Sequence, residues 1–105
     1  MVTVNVNPGI CGLKSIIRID SEDFQNAAIS FETECPHIKA MADELKEVDG
    51  YIECLGKLGE GEIYKAAKKF CKHAACPVPS AIVKGVEVAC GLALPGDVEI
   101  KIIKD

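Results

Sequence analysis

Apolar residues change their spacing near Cys35-Pro36, from the period of a strand to that of a helix. Ahead of that point they alternate with polar residues, the period of a strand with one buried face. Val2, Val4 and Val6 alternate with Thr3 and Asn5 in a first strand. Lys14 to Asp20, with Ile16, Ile17 and Ile19, gives a second. Ser21-Glu22-Asp23 is a polar turn. The third strand is predicted over Phe24 to Glu34, with Ala27, Ile29, Phe31 and Thr33 on one face and Ala28, Ser30, Glu32 and Glu34 on the other. A hairpin turn sets it antiparallel to its predecessor.

Beyond Cys35 the spacing becomes three and four. Pro36 suits the first position of a helix, which makes Cys35 its N-cap. Ile38, Met41, Ala42, Leu45 and Val48 form the buried stripe, and Asp49-Gly50 ends it. Tyr51 to Leu55 reads as a short strand or as irregular chain, and Gly56, Gly59 and Gly61 mark a loop. A second helix runs from about Glu60 to Phe70, turning Ile63, Ala66, Ala67 and Phe70 inward. Cys76 and Val78 each precede a proline, so both are predicted to be extended. The third helix runs from Pro79 to about Cys90 on the stripe Ile82, Val83, Val86, Ala89 and Cys90, with Gly91 as its stop. Gly85 lies inside that helix, where it predicts a close packing contact. Val98, Ile100 and Ile102 alternate with Glu99 and Lys101, which predicts a last strand over Val98 to Ile103. The order β-β-β-α-α-α-β is an α+β arrangement, predicted as one domain over residues 1–105.

Composition narrows the function. Hydrophobic residues are 49% and charged residues 27%, which describes a globular chain. A formal charge of −4 disfavours a nucleic-acid partner, since such proteins present a basic face. The first residues lack a basic stretch followed by an apolar run, so no secretory signal is predicted. The longest apolar stretch, Val88 to Pro95, falls short of the roughly 20 residues that span a bilayer. The expectation is a cytoplasmic protein with no membrane partner.

Six cysteines then carry the chemical information: Cys11, Cys35, Cys54, Cys71, Cys76 and Cys90. Their share is below the roughly 8–10% of a disulfide scaffold, and cytosolic thiols stay reduced. They are read as buried fillers, metal ligands or redox groups. Cys90 lies on a helix stripe, and with Cys54 it is assigned to the core. Cys71 prolongs the stripe that ends at Phe70, and core and ligand readings are both open. Cys11, Cys35 and Cys76 fall at element ends, where ligands converge. Cys35 and, in part, Cys76 precede helices, where unpaired N–H groups and the dipole favour thiolate. Thiolates suit zinc, Cu(I) and iron–sulfur clusters, and three Cys with one His complete a tetrahedral site. His73, between Cys71 and Cys76, is the candidate histidine; His37 is expected to be exposed in the first helical turn. Lys65, Lys68, Lys69 and Lys72 form a basic run, read as a solvated helix face or a dock for an acidic partner. There is no phosphate-binding glycine loop and no His-Glu-x-x-His, so no enzyme class is indicated.

Cys11-Gly12, a pair of strands through Phe31, Cys35 at a helix start and a His and Cys ahead of a later helix together resemble the U-type (NifU/IscU-like) iron–sulfur cluster assembly scaffolds over about residues 7–93. The chain is also similar to small uncharacterised cysteine-containing proteins of this length. The scaffold resemblance implies a three-stranded antiparallel sheet with helices on one face and a site at one end. It implies that Cys11, Cys35 and Cys76, with His73, hold a nascent cluster or zinc, with Cys71 competing for the third thiol position. It further implies a cysteine desulfurase or a cluster-acceptor protein as partner. Four departures stand out. Leu13 occupies the place of the family's aspartate, which implies a cluster held rather than released. Two alanines separate His73 from Cys76, where the family has the pair adjacent. A Leu-Pro-Pro-Val-Lys segment is absent before His73, and the final strand is additional. The leading expectation is a metal or cluster scaffold or carrier. The alternatives are a sulfur-transfer or redox protein with one low-pKa cysteine, Cys35 or Cys76, and a structural zinc domain.

Overall fold

Three strands form where the apolar residues alternate. In the computed structural model, which describes residues 1–105, these are β1 (Val2–Val6), β2 (Ser15–Asp20) and β3 (Asn26–Thr33). Helix α1 (Pro36–Glu44) follows, then β4 (Glu47–Asp49), α2 (Gly50–Leu55), α3 (Glu62–Phe70) and α4 (Val78–Ala89). The sheet is antiparallel throughout in the order β1-β2-β3-β4.

Register places the apolar set on one face. Val4 pairs with Ile17 and Ile17 with Phe31; Val2 pairs with Ile19 and Ile19 with Ile29. The opposite face carries Thr3, Arg18 and Ser30 in another row, with Arg18 ion-paired to Glu32 at 3.2 Å. Helix α4 lies against β1 and β2, α1 against β3, α3 against α1 and α4, and α2 against α4. Ile17, Ile19, Met41, Ile63, Ile82 and Val86 are wholly inaccessible at the centre of this layer. The result is an α+β fold with helices on one face of a four-stranded antiparallel sheet.

Both ends of the sheet are defined by contacts. The β2–β3 turn is tied by Asp23, whose carboxylate accepts from the backbone N–H of Gln25 (2.9 Å) and Asn26 (2.8 Å). Helix α4 finishes beside this turn, with the Cys90 thiol 3.7 Å from the Gln25 carbonyl. The start of α4 therefore lies toward the other end, with the β1–β2 loop and the start of α1.

Several expectations change. Val48 is not the last residue of the α1 stripe. The helix ends at Glu44 and Val48 is the buried centre of β4, paired with Ala27. Tyr51 to Leu55 is helical, because the Asp49 carboxylate accepts from Tyr51 and Ile52 and starts a turn there. Val78 is the first residue of α4 rather than extended. Burial of Val78 and Pro79 at the sheet outweighs the clash that proline imposes on its predecessor. Cys76 does lie outside the helix. The strand predicted over Val98 to Ile103 does not form: the segment pairs with no other strand. Alternation supplied an apolar face there, and a strand also needs a neighbour. Gly91 ends α4 as predicted, at φ +72°. No helix is long and apolar enough to cross a membrane.

Candidate functional site

The thiols gather where three elements begin or end. Cys35 follows β3 and precedes α1 with an extended backbone (φ −85°, ψ 121°). Its N–H donates to the Thr33 hydroxyl at 3.1 Å, and that hydroxyl is 2.7 Å from Ser15 Oγ on β2. This Ser15–Thr33–Cys35 chain fixes the exit from the sheet. Pro36 then starts the helix without needing a donor. The Cys35 side chain makes no cap bond, so its thiol is left for other partners.

Cys71 is the C-cap of α3, its N–H bonded to the Ala67 carbonyl at 2.8 Å. Its backbone is extended (φ −71°, ψ 131°), which turns the chain out of the helix. The five following residues close with the Cys76 N–H on the His73 carbonyl at 3.2 Å. Cys35, Cys71 and Cys76 are all half-buried against the hydrophobic core. Burial pushes the Cys71 thiol up to about 11, with the nearby Cys76 and Cys35 thiols acting in the same direction.

Cys11 is placed differently. Its loop turns on Gly9 (φ +92°) and Gly12 (φ +69°), with the Gly12 N–H on the Gly9 carbonyl at 3.0 Å. Positive φ suits glycine at both positions. The loop is tied to the approach to Cys35, since Lys14 and Glu34 exchange bonds at 3.0 Å each way. Cys11 thus lies at the same end of the sheet, with its side chain exposed. His73 is exposed too, whereas His37 is half-buried rather than fully solvated. Of the sequence-derived set, Cys71 is near both Cys76 and Cys35, whereas Cys11 and His73 face solvent. No group of three or more His, Cys, Asp or Glu side chains is set to hold a metal ion as the chain stands.

The remaining thiols belong to the core. Cys90 is buried, and Cys54 is half-buried with its thiol 3.8 Å from the Val83 carbonyl. Burial pushes Cys54 up to about 12, with Glu87, Cys90 and Glu53 adding to the effect. Neither is a nucleophile at neutral pH. Lys65, Lys68 and Lys69 are exposed along α3 and Lys72 just beyond it, with Lys69 bonded to Glu44 at 2.7 Å. Two surface clefts touch no cysteine. One, of about 260 Å³, lies among Glu44, Leu45, Glu62 and Lys65; the other is acidic, with Asp20, Glu22 and Asp23. Sequence reasoning missed Glu53, a buried carboxylate that accepts from the N–H of Glu62 (2.8 Å) and Ile63 (2.7 Å). Nothing in its local sequence marks it.

A family model spans the whole of this arrangement, from residue 2 to residue 102. The chain belongs to a family of unknown function (DUF6951). The DUF6951 match takes in all four strands, all four helices and all six cysteines, and continues through the exposed segment after α4. No curated protein and no solved structure matches the chain.

Proposed function

We propose that this protein binds a soft metal ion or an iron–sulfur cluster through Cys35, Cys71 and Cys76, and serves as its scaffold or carrier. The observation that supports the reading is Cys71, at the end of α3, near both Cys35 at the end of β3 and Cys76 on the approach to α4, all three half-buried. Soft cations select thiolate donors. Half-burial lowers competition from water while leaving an entry path. Cys71 is near both Cys35 and Cys76, so this reading uses both Cys71 and Cys76 in place of a choice between them. Cys11 and His73, both exposed, are the donors proposed to complete four-coordination.

The metal or cluster is cargo here, and its binding displaces thiol protons. The raised Cys71 value makes that proton hard to remove without a metal, so affinity rises with pH while Cys71 is protonated. It also opposes a sulfur-transfer role for Cys71, which needs ready thiolate. The U-type scaffold relationship is part of this proposal. An antiparallel sheet covered on one face, with thiols at one end, is compatible with it. Leu13 in the aspartate position then implies cargo that leaves slowly.

The test is anaerobic purification of the full chain, with metal and acid-labile sulfide analysis, visible absorbance and titration with Zn²⁺. The expected result is one metal or cluster site per chain. Cys35→Ala, Cys71→Ser and Cys76→Ser should each weaken it by roughly tenfold or more, while Cys54→Ala leaves it unchanged. Unchanged affinity in Cys35→Ala, or no binding by the native chain, overturns the proposal.

A further inference from the structure

The segment Val98–Ile103 has the composition of a strand and the surroundings of none. Val98, Ile100, Ile102 and Ile103 are 59%, 73%, 90% and 85% exposed. β-Branched side chains alternate with Glu99 and Lys101, and Pro95-Gly96 separates the segment from α4. Isolated, such a segment leaves both its ladder groups and its apolar face in water.

The sheet is incomplete in the complementary way. β1 is an edge strand, bonded only to β2. Val2 and Val4 point to the core side of that edge, yet both are only half-buried. A strand beside β1 would pair its free ladder groups and cover both valines. Its other side chains would lie level with Thr3 and Asn5, on the solvated face, where Glu99 and Lys101 are at ease.

Direction determines which copy supplies that strand. β1 starts at the turn end of the sheet, where Val2 pairs with Ile19. Helix α4 finishes at the same end, beside Gln25. A chain leaving α4 and running back along its own β1 would therefore be parallel to it. Parallel pairing is somewhat less stable per residue, whereas a second copy can present the segment antiparallel. The other edge, β4, has only three residues before α2 begins and offers a shorter ladder. The family match extends to residue 102, so the segment belongs to the shared domain.

We propose that two copies of this chain form a two-fold dimer by strand exchange, with Val98–Ile103 of each adding antiparallel to β1 of the other. Donor and acceptor lie in one sequence, so the contact is self-complementary and closes at two copies. Each sheet grows from four strands to five, and two such strips join the pair.

The test is sedimentation of the full chain across a concentration series under reductant, with amide hydrogen exchange. Ile100→Pro and Lys101→Pro are the diagnostic variants. N–H groups alternate in direction along a strand, so one of the two removes a donor that faces β1, whatever the register. Both positions lie outside the buried core, so circular dichroism should show an intact fold. The expected result is a dimer for the native chain, a monomer for at least one of the two variants, and faster exchange of the outward β1 amides in that variant. A native chain that stays monomeric overturns the proposal, whether its final segment exchanges freely or is protected by pairing within the chain. So does a dimer that survives both substitutions.

Discussion

Gly85 shows what a single missing atom does in this molecule. A Cβ added there would sit 2.5 Å from Ile19 Cδ1 and 2.7 Å from Val4 Cγ2, too close for either. Ile19 is fully buried and has no free space to move into, and Val4, though half-buried, is stiff at its β-branch. Alanine would add about 1 kcal/mol of helix propensity, but overpacking a filled core costs about 1–3 kcal/mol. The packing penalty should win. Gly85→Ala is expected to lower stability by about 1 kcal/mol, seen as an earlier urea midpoint at unchanged slope. A midpoint at or above the native value would show that α4 can lift from the sheet at little cost. Gly50 is a second such position, with Cys90 Sγ occupying the space where its Cβ would be. Gly85 was visible in the sequence because glycine interrupts a helical stripe. Gly50 was not, because its contact comes from a residue forty positions away.

At the level of elements, one helix starts the next. The Glu53 carboxylate on α2 accepts the first backbone N–H groups of α3, and Gly61 (φ +93°) lets the chain pass against it. Those groups have no partner within their own helix, and the dipole favours negative charge there. Glu53→Ala should cost about 2 kcal/mol, between the loss of an ordinary cap and that of a buried hydrogen bond. Exchange of the α3 amides should quicken with it, and Glu53→Gln, keeping one acceptor oxygen, should fall between. Native stability and native α3 exchange in Glu53→Ala would remove the capping role. Cap signals are sought next to the helix they serve, so a cap supplied nine residues upstream leaves no local trace. β4 escaped for a different reason. Val48 follows Leu45 at helical spacing, and a strand of three residues is too short to show alternation. Periodicity reports which face is apolar. It does not report whether a partner stands beside it, which is why Val98–Ile103 read as a strand.

Across the whole molecule, chain direction places the chemistry. Antiparallel pairing sends the β1–β2 loop and the end of β3 to one end, and α4 begins toward that end because it finishes at the other. That Cys11, Cys35 and Cys76 lie at element ends was legible, since proline or glycine stands next to each of them. The relation of Cys71 to Cys76 was not, because it depends on how the five residues after Cys71 close. The core thiols carry a global consequence of their own. Cys54 is raised from 9.0 to about 12, chiefly by burial, with the charges of Glu87 on α4 and Glu53 on α2 and the Cys90 thiol acting in the same direction. Unfolding returns it to an ordinary thiol. Between about pH 9 and pH 12 the unfolded chain has lost this proton while the folded chain keeps it, so the unfolded state binds fewer protons and stability falls as pH rises. Below about pH 9 both states hold the proton and the contribution vanishes. Lysines and tyrosines titrate in the same window, so the informative quantity is the difference between two proteins. Cys54→Ala, followed by urea denaturation under reductant from pH 8 upward, should lose stability less steeply than the native chain above pH 9. Its curve at lower pH should be offset by a constant amount from the small cavity left behind. Parallel curves throughout would mean that water already reaches Cys54 in the folded protein and that its thiol titrates as an ordinary one.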